Sequence, residues 1–271
     1  MKIEVLSPHG FCGGVARAIK MAQEALAARG REGNGAATVY CLHEIVHSEQ
    51  VVQDLTAKGM CFVESVEEVP KGAVLLISAH GAPPAVSDAA AARGLQVIDA
   101  TCPFVTENHQ TIRANHAKGM RTVVVGDPNH VEVRGYLGEP GACLPADVKP
   151  NEPVGRVVQT TLDAAAQEGV CTATRDRQQA VRDFVASSRG ASVGVLVVGG
   201  AKSANTARLA EIAETGGAKA WRVSSADEGP RLEFGDLDIL GVTSGASTPE
   251  SFFREAVSFL RGPRARLRNM V

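Results

Sequence analysis

Short apolar runs alternate with helical apolar stripes along almost the whole chain. The runs predict strands at Ile3–Leu6, Thr38–Leu42, Val74–Ser78, Leu95–Ile98, Thr122–Val125, Arg156–Gln159, Val193–Val198, Lys219–Val223 and Ile239–Thr243. Between them the spacing predicts helices at Val15–Ala28, Glu49–Lys58, Ala85–Arg93, Val105–Lys118, Gln178–Ser188, Asn205–Thr215 and Pro249–Leu260. Gly30, Gly59, Gly94, Gly119 and Gly216 stand where helix C-termini need a residue tolerant of left-handed backbone. Such alternation predicts an α/β protein with parallel sheets and crossover helices. Several strands run into a small, polar loop, as at Ser78–Pro83, Gly126–His130, Gly199–Asn205 and Thr243–Pro249. The repetition predicts three small α/β units, 1–100, a short middle unit 101–168, and 169–271, each aiming its strand ends at a common centre. The Pro/Gly-rich piece from Glu139 to Gly155 reads as loop.

Composition narrows the function classes. A chain of 271 residues with net charge −2 and no long run of like charge gives little support to nucleic-acid or membrane-surface binding. The basic residues from Arg261 to Arg268 read as a solvated tail. Neither a secretory leader nor a membrane-spanning run is evident, which predicts a soluble cytoplasmic protein. Six cysteines in that compartment read as core residues, metal ligands or reactive thiols rather than a disulfide framework.

Cys102 has the most informative setting. In Asp99-Ala-Thr-Cys-Pro103 it follows a stretch read as a buried strand, and Pro103 opens a helix, so the sulfur faces a helix N-terminus that favours thiolate. Cys12 in Gly10-Phe-Cys-Gly-Gly14 and Cys171 in Val170-Cys-Thr-Ala-Thr174 also have unusual settings, although each could be a buried small hydrophobe. Three thiolates on separate segments can bind a soft metal centre and leave one position open for chemistry. Cys41, Cys61 and Cys143 read as core thiols, and His9, His109 and His116 as surface or capping histidines. His43-Glu-Ile-Val-His47 matches the zincin pattern, but it directly follows a strand and lacks the long helix that a zincin needs. His43, His80 and His130 lie in loops near strand ends, where a charged imidazole suits phosphate. Ser203 and Asn205 after Gly199-Gly200, and Ser247 before Thr248-Pro249, read either as helix caps or as anion contacts. Gln159-Thr160-Thr161 places hydroxyls at another strand end.

Together these motifs resemble the 4-hydroxy-3-methylbut-2-enyl diphosphate reductase (LytB/IspH) family. The resemblance rests on Gly10–Ile19, His43–His47, Ser78–Gly81, Asp99–Pro103, His130-Val-Glu132, Gln159–Thr161, Cys171–Thr174 with Arg177-Gln178, and Gly245–Ser247. It implies a three-unit α/β fold around a [4Fe–4S] cluster held by Cys12, Cys102 and Cys171. It also implies reductive removal of an allylic hydroxyl, with electrons from a ferredoxin or flavodoxin and products isopentenyl and dimethylallyl diphosphate. Glu132 would be the acid, with Thr160 and His130 relaying or orienting; His43, His80, His130, Ser203, Asn205 and Ser247 would bind the diphosphate. The chain departs from the family pattern at His9 (commonly Arg), Val131 (Pro), Tyr136 (Thr) and Ala204 (Ser), and in the short stretch from Thr160 to Cys171. These departures keep open a diverged paralogue with another allylic or small substrate. A non-catalytic anion-binding or sensor protein is the alternative from another class.

Overall fold

A computed structural model describes residues 1–31, 38–158, 170–225, 228 and 232–262. The chain divides into two compact units, one of Met1–Cys12 with Thr160–Val271 and the other of Gly13–Gln159. Their strands form three separate sheets, all parallel, as expected of an α/β protein. β1 (Lys2–Val5) opens the chain and pairs with a strand at residues 239–244.

In the unit Gly13–Gln159, α1 (Gly13–Arg31) leads to β2 (Val39–Leu42), α2 (Glu49–Ala57), β3 (Met60–Val63), β4 (Val74–Ile77), α3 (Pro84–Ala92) and β5 (Gln96–Asp99). These strands lie in the order β3-β2-β4-β5. Leu42, Val63, Leu75, Ile77 and Ala90 form the core between this sheet and α3. The second sheet of the unit follows α4 (Pro103–Ala117), with β6 (Arg121–Val125), α5 (Val131–Leu137), β7 (Ala142–Cys143) and β8 (Val154–Val158) in the order β7-β6-β8. α4 and α5 cover it through Val105, Ile112, Val133 and Tyr136.

The other unit continues with α6 (Thr172–Ser187), β9 (Val193–Val198), α7 (Ala204–Thr215), β10 (Lys219–Val223), β11 (Ile239–Ser244) and α8 (Glu250–Arg261), its strands ordered β1-β11-β9-β10. β9 explains its own composition. Val195 and Val197 pack with residues of α6 and α7, whereas Leu196 and Val198 pack with residues of α8. Alternate residues of a strand face opposite sides, so a strand covered on both faces must be apolar throughout.

Several expectations change. β1 belongs to the sheet of residues 193–244, so the opening strand is not part of the sheet built by the rest of segment 1–100. β5 is an edge strand with Gln96, Val97 and Asp99 exposed, so the run before Cys102 is not buried; among the described residues no strand pairs with its outer edge. The stretch 139–155 holds β7 and a 3-10 turn, Pro145–Asp147, besides loop. β3 and α5 were not predicted. Gly59, Gly94 and Gly119 do adopt the left-handed backbone that ends α2, α3 and α4. No helix among the described residues is long and apolar enough to cross a membrane.

Candidate functional site

Cys102 is the N-cap residue of α4, whose first helical residue is Pro103. Its backbone N–H donates to Ala79 O at 3.0 Å, which fastens the end of β5 to the loop after β4. α1 begins beside it with two glycines. A Cβ added at Gly14 would lie 2.7 Å from Cys102 Sγ, so the missing side chain keeps the thiol uncovered. Arg17, one turn on, donates to Thr101 O at 3.0 Å.

The loop after β4 carries His80, and the loop after β2 carries His43 and His47. His43 has a positive φ of 58°, which is costly for a residue with a Cβ. Its N–H donates to Val63 O at 2.8 Å, and its Nδ1 lies 2.8 Å from Glu64 Oε2. The His47 ring lies tilted against His80 with centroids 4.4 Å apart and meets His130 edge-on at 5.2 Å. Burial holds His80 well below the ordinary imidazole range, and His47, His130 and His43 lower it further. Burial first, then His47, pushes His130 down to about 4, and Arg134 adds to this while Asp127 opposes it. Both rings are therefore neutral at pH 7. His80 can thus meet an anion with an N–H donor and not with the positive charge expected from sequence.

Glu132 is 4% exposed, in the first turn of α5. Its backbone N–H donates to His130 Nδ1 at 3.2 Å, and its Oε1 accepts from the Tyr136 hydroxyl at 3.1 Å. Asn108 Nδ2 donates to the same hydroxyl at 3.0 Å. Burial, then Glu132, holds the Tyr136 phenol well above its ordinary range, so it stays protonated and donates. His109, expected at the surface, is buried and pairs through Nδ1 with Glu139 at 2.7 Å; Arg113 grips the same carboxylate at 2.6 and 2.9 Å.

The other unit holds Cys12 and Cys171. Cys12 N–H donates to Ala246 O at 3.0 Å, and Gly10 N–H to Ser244 Oγ at 2.8 Å, so the loop after β1 is tied to the end of β11. Cys171 is the N-cap residue of α6, and Arg177, 2% exposed on that helix, donates to Gly10 O at 2.8 Å. Burial lowers the proton affinity of this guanidinium, and the charges of Cys12 and Cys171 offset part of that effect. Sequence reasoning had no role for Arg177. None of the three candidate ligand thiols is in a disulfide, and all are half-buried. Cys41, by contrast, is fully buried, and burial pushes its thiol up beyond the ordinary range.

A polar collar surrounds the C-terminal ends of β9 and β11. Ser203 caps α7, its Oγ accepting from Thr206 N–H at 3.3 Å. Thr248 Oγ1 donates to Val198 O at 2.9 Å. Asn205, Ser247 and Thr206 are buried beside them. Both amide atoms of Asn205 and the hydroxyl of Thr206 lack a hydrogen-bond partner among the described residues. Such orphaned polar atoms are uncommon in a folded protein and mark a place built for a polar guest. Thr160 and the Gln159–Thr161 stretch lie outside the described residues.

Among the described residues no three His, Cys, Asp or Glu side chains converge on a single metal ion. The zincin pattern fails here, because His43 and His47 turn to different partners, Glu64 and His130, and residues 43–47 are not helical.

The chain is similar to known proteins over nearly its whole length. The family model described as "LytB protein" matches residues 3–170 and 163–261. The 4-hydroxy-3-methylbut-2-enyl diphosphate reductase of Burkholderia pseudomallei (strain 1026b) is 38% identical, over 96% of this chain and 90% of that protein. Among solved structures, the E-1-hydroxy-2-methyl-but-2-enyl-4-diphosphate reductase from Plasmodium falciparum aligns with a TM-score of 0.87 at 27% identity, over 97% of this chain and 88% of that one. A second, an (E)-4-hydroxy-3-methyl-but-2-enyl diphosphate reductase described as the terminal enzyme of the non-mevalonate pathway, aligns with a TM-score of 0.65 at 30% identity, over 96% and 99%.

Proposed function

The chain belongs to the LytB protein family, and from that membership we propose that it is a cytoplasmic reductase of 4-hydroxy-3-methylbut-2-enyl diphosphate in the non-mevalonate isoprenoid pathway. The reaction takes up two electrons and two protons, breaks the allylic C–O bond, releases water and yields isopentenyl and dimethylallyl diphosphate. Cys12, Cys102 and Cys171 would hold a [4Fe–4S] cluster. The donor set suits that group: Cys102 and Cys171 cap helices and Cys12 directly precedes one, and Gly14 keeps Cys102 Sγ uncovered. When bound, such a cluster supplies the electrons, received from a ferredoxin or flavodoxin, and an iron without a protein thiolate to polarise the hydroxyl.

The protein's own residues do the rest. The observation that carries the reading is Glu132, a buried carboxyl held by the Tyr136 hydroxyl, with its backbone N–H on His130. It serves as the proton donor. His43, His80, Ser203, Asn205 and Ser247 hold the diphosphate by hydrogen bonds. His130, expected both to orient and to bind, has both ring nitrogens engaged already, which favours the orienting role. Thr160 assists in the proton transfer.

The test is anaerobic purification, iron and sulfide analysis, and paramagnetic resonance after reduction, with and without substrate. A cluster signal changed by substrate and steady turnover support the reading; absence of a cluster overturns it. Glu132→Gln should keep iron and fold while turnover falls at least about 100-fold. Ala204, which removes a hydroxyl from the collar, favours a second reading in which the same chemistry acts on a different allylic substrate. A cluster signal indifferent to 4-hydroxy-3-methylbut-2-enyl diphosphate would select it.

A further inference from the structure

Of the segment His43-Glu-Ile-Val-His47, only His43 has a part in the proposed reaction, yet its other polar residues form a chain of contacts. His47 Nδ1 lies 3.3 Å from Glu44 Oε2, and His47 Nε2 lies 3.2 Å from His130 Nε2. His130 Nδ1 accepts from the Glu132 backbone N–H at 3.2 Å.

The protons along this chain follow by elimination. A backbone N–H only donates, so His130 Nδ1 carries no proton. Neutral His130 then bears its proton on Nε2 and donates it to His47 Nε2. His47 accepts there, so its own proton sits on Nδ1 and points to the Glu44 carboxylate, which only accepts. The opposite assignment fails at both ends: His130 Nδ1–H would face the Glu132 N–H, and a bare His47 Nδ1 would face a carboxylate. An extra proton on either ring also fails, because it sets two donors against each other at Nε2 or at the Glu132 N–H. One arrangement satisfies these three contacts, with His130 as Nε2–H and His47 as Nδ1–H.

We propose that Glu44 and His47 are positioning residues, which lock His130 in its Nε2–H form and through its Nδ1 hold the Glu132 backbone at the start of α5. The chain ends on a backbone N–H, which passes no proton on, so it orients Glu132 and does not conduct protons to its carboxyl. His47 is steadied for this by its contact with the tilted ring of His80. The arrangement leaves the carboxyl of Glu132 to Tyr136 and its backbone to His130, so neither end of the residue is free to swing.

The inference rests on the proposed reaction for its kinetic readout alone. The test uses the full chain, purified anaerobically and labelled with nitrogen-15 in histidine, with ring tautomers read by NMR and turnover measured on 4-hydroxy-3-methylbut-2-enyl diphosphate. The wild type should show His47 as Nδ1–H and His130 as Nε2–H. Glu44→Ala should move His47 to Nε2–H and lower kcat by about tenfold or more with a smaller change in KM, and Glu44→Asp should restore part of the loss. His47→Phe keeps a ring against His80 but removes the acceptor, and should lower kcat similarly; it also serves if Glu44→Ala fails to fold. His130 found as Nδ1–H in the wild type, or kcat unchanged in Glu44→Ala and His47→Phe, overturns the proposal. If the wild type does not turn the substrate over, the proposed reaction fails, and the tautomers of the wild type and Glu44→Ala still decide this inference by themselves.

Discussion

The hydroxyl of Tyr136 stands between Asn108 Nδ2 and Glu132 Oε1 with no exposure to solvent. Removing it leaves a buried amide N–H and a buried carboxylate oxygen each short of a partner, and that desolvation is not refunded. Tyr136→Phe is therefore expected to lower unfolding stability by about 1–3 kcal/mol in urea titrations. Adding Asn108→Leu removes the orphaned donor and should recover part of the loss, a non-additive pair in a double-mutant cycle. Independent, additive effects would mean that the two side chains do not share this bond. Cys102 could be read in the sequence because strand, thiol and Pro103 are consecutive, and a helix start follows from the Pro alone. The Tyr136–Glu132 contact was readable in principle, since residues four apart share a helix face. It was missed because α5 has only seven residues and contains Gly135, so the segment carries too few apolar positions to show a helical period. Glu44, His47 and His130 could not be joined from the sequence, because tertiary packing and not spacing brings the end of β2 against the start of α5.

At the scale of elements, close approach of helix to sheet sets a sharper condition than hydrophobicity. A Cβ at Gly241, in β11, would lie 2.6 Å from the ring of Phe184 on α6. Phe184 is 5% exposed and held among Val181, Val195 and Leu209, so it has little room to retreat. Gly241→Ala should cost about 1–3 kcal/mol by overpacking, although alanine suits a strand no worse than glycine. Gly241→Ala combined with Phe184→Leu should regain part of that in thermal melts; a harmless single substitution would show that α6 can shift away. The strands at Val74–Ile77 and Val193–Val198 were legible because each is an unbroken apolar run, the mark of strands covered on both faces. The same logic misread β5. Its apolar residues promised burial, but an edge strand leaves a side uncovered, and edge position depends on the order of strands, which no local pattern carries. β7 escaped because two residues are too few to have a period.

Over the whole molecule, the parallel α/β class was legible from alternation, whereas the pairing of β1 with β11 was not, since strands at opposite ends of the chain carry no mark of their partner. Titration is a second property that only the assembled chain sets. Burial lowers His80, His109 and His130, so in the folded protein these rings resist protonation, while in the unfolded chain they take it up at their ordinary value of 6.5. Between the two values the unfolded state binds more protons, so stability rises with pH. The stabilisation is fully present above about 6.5 and is lost as pH falls toward the folded values, about 4 for His130. For His130 alone the loss is on the order of 3 kcal/mol. Glu139 adds to it at lower pH. Burial raises this carboxyl, but Arg113 and His109 outweigh burial and hold it below the usual range, so its contribution is lost as it protonates. Urea midpoints measured in the ligand-free protein should fall steadily from pH 7 to pH 4, and His130→Asn should flatten the upper part of that slope. A flat profile in the wild type would mean that the rings take up protons as readily when folded as when unfolded. The same neutrality gives the diphosphate a signature. An anion seated against His80 raises the ring's proton affinity, so substrate binding should take up protons and tighten as pH falls from 8 to 6. Calorimetry in two buffers of different ionisation enthalpy reads that uptake directly, and an enthalpy independent of buffer would place the diphosphate away from His80.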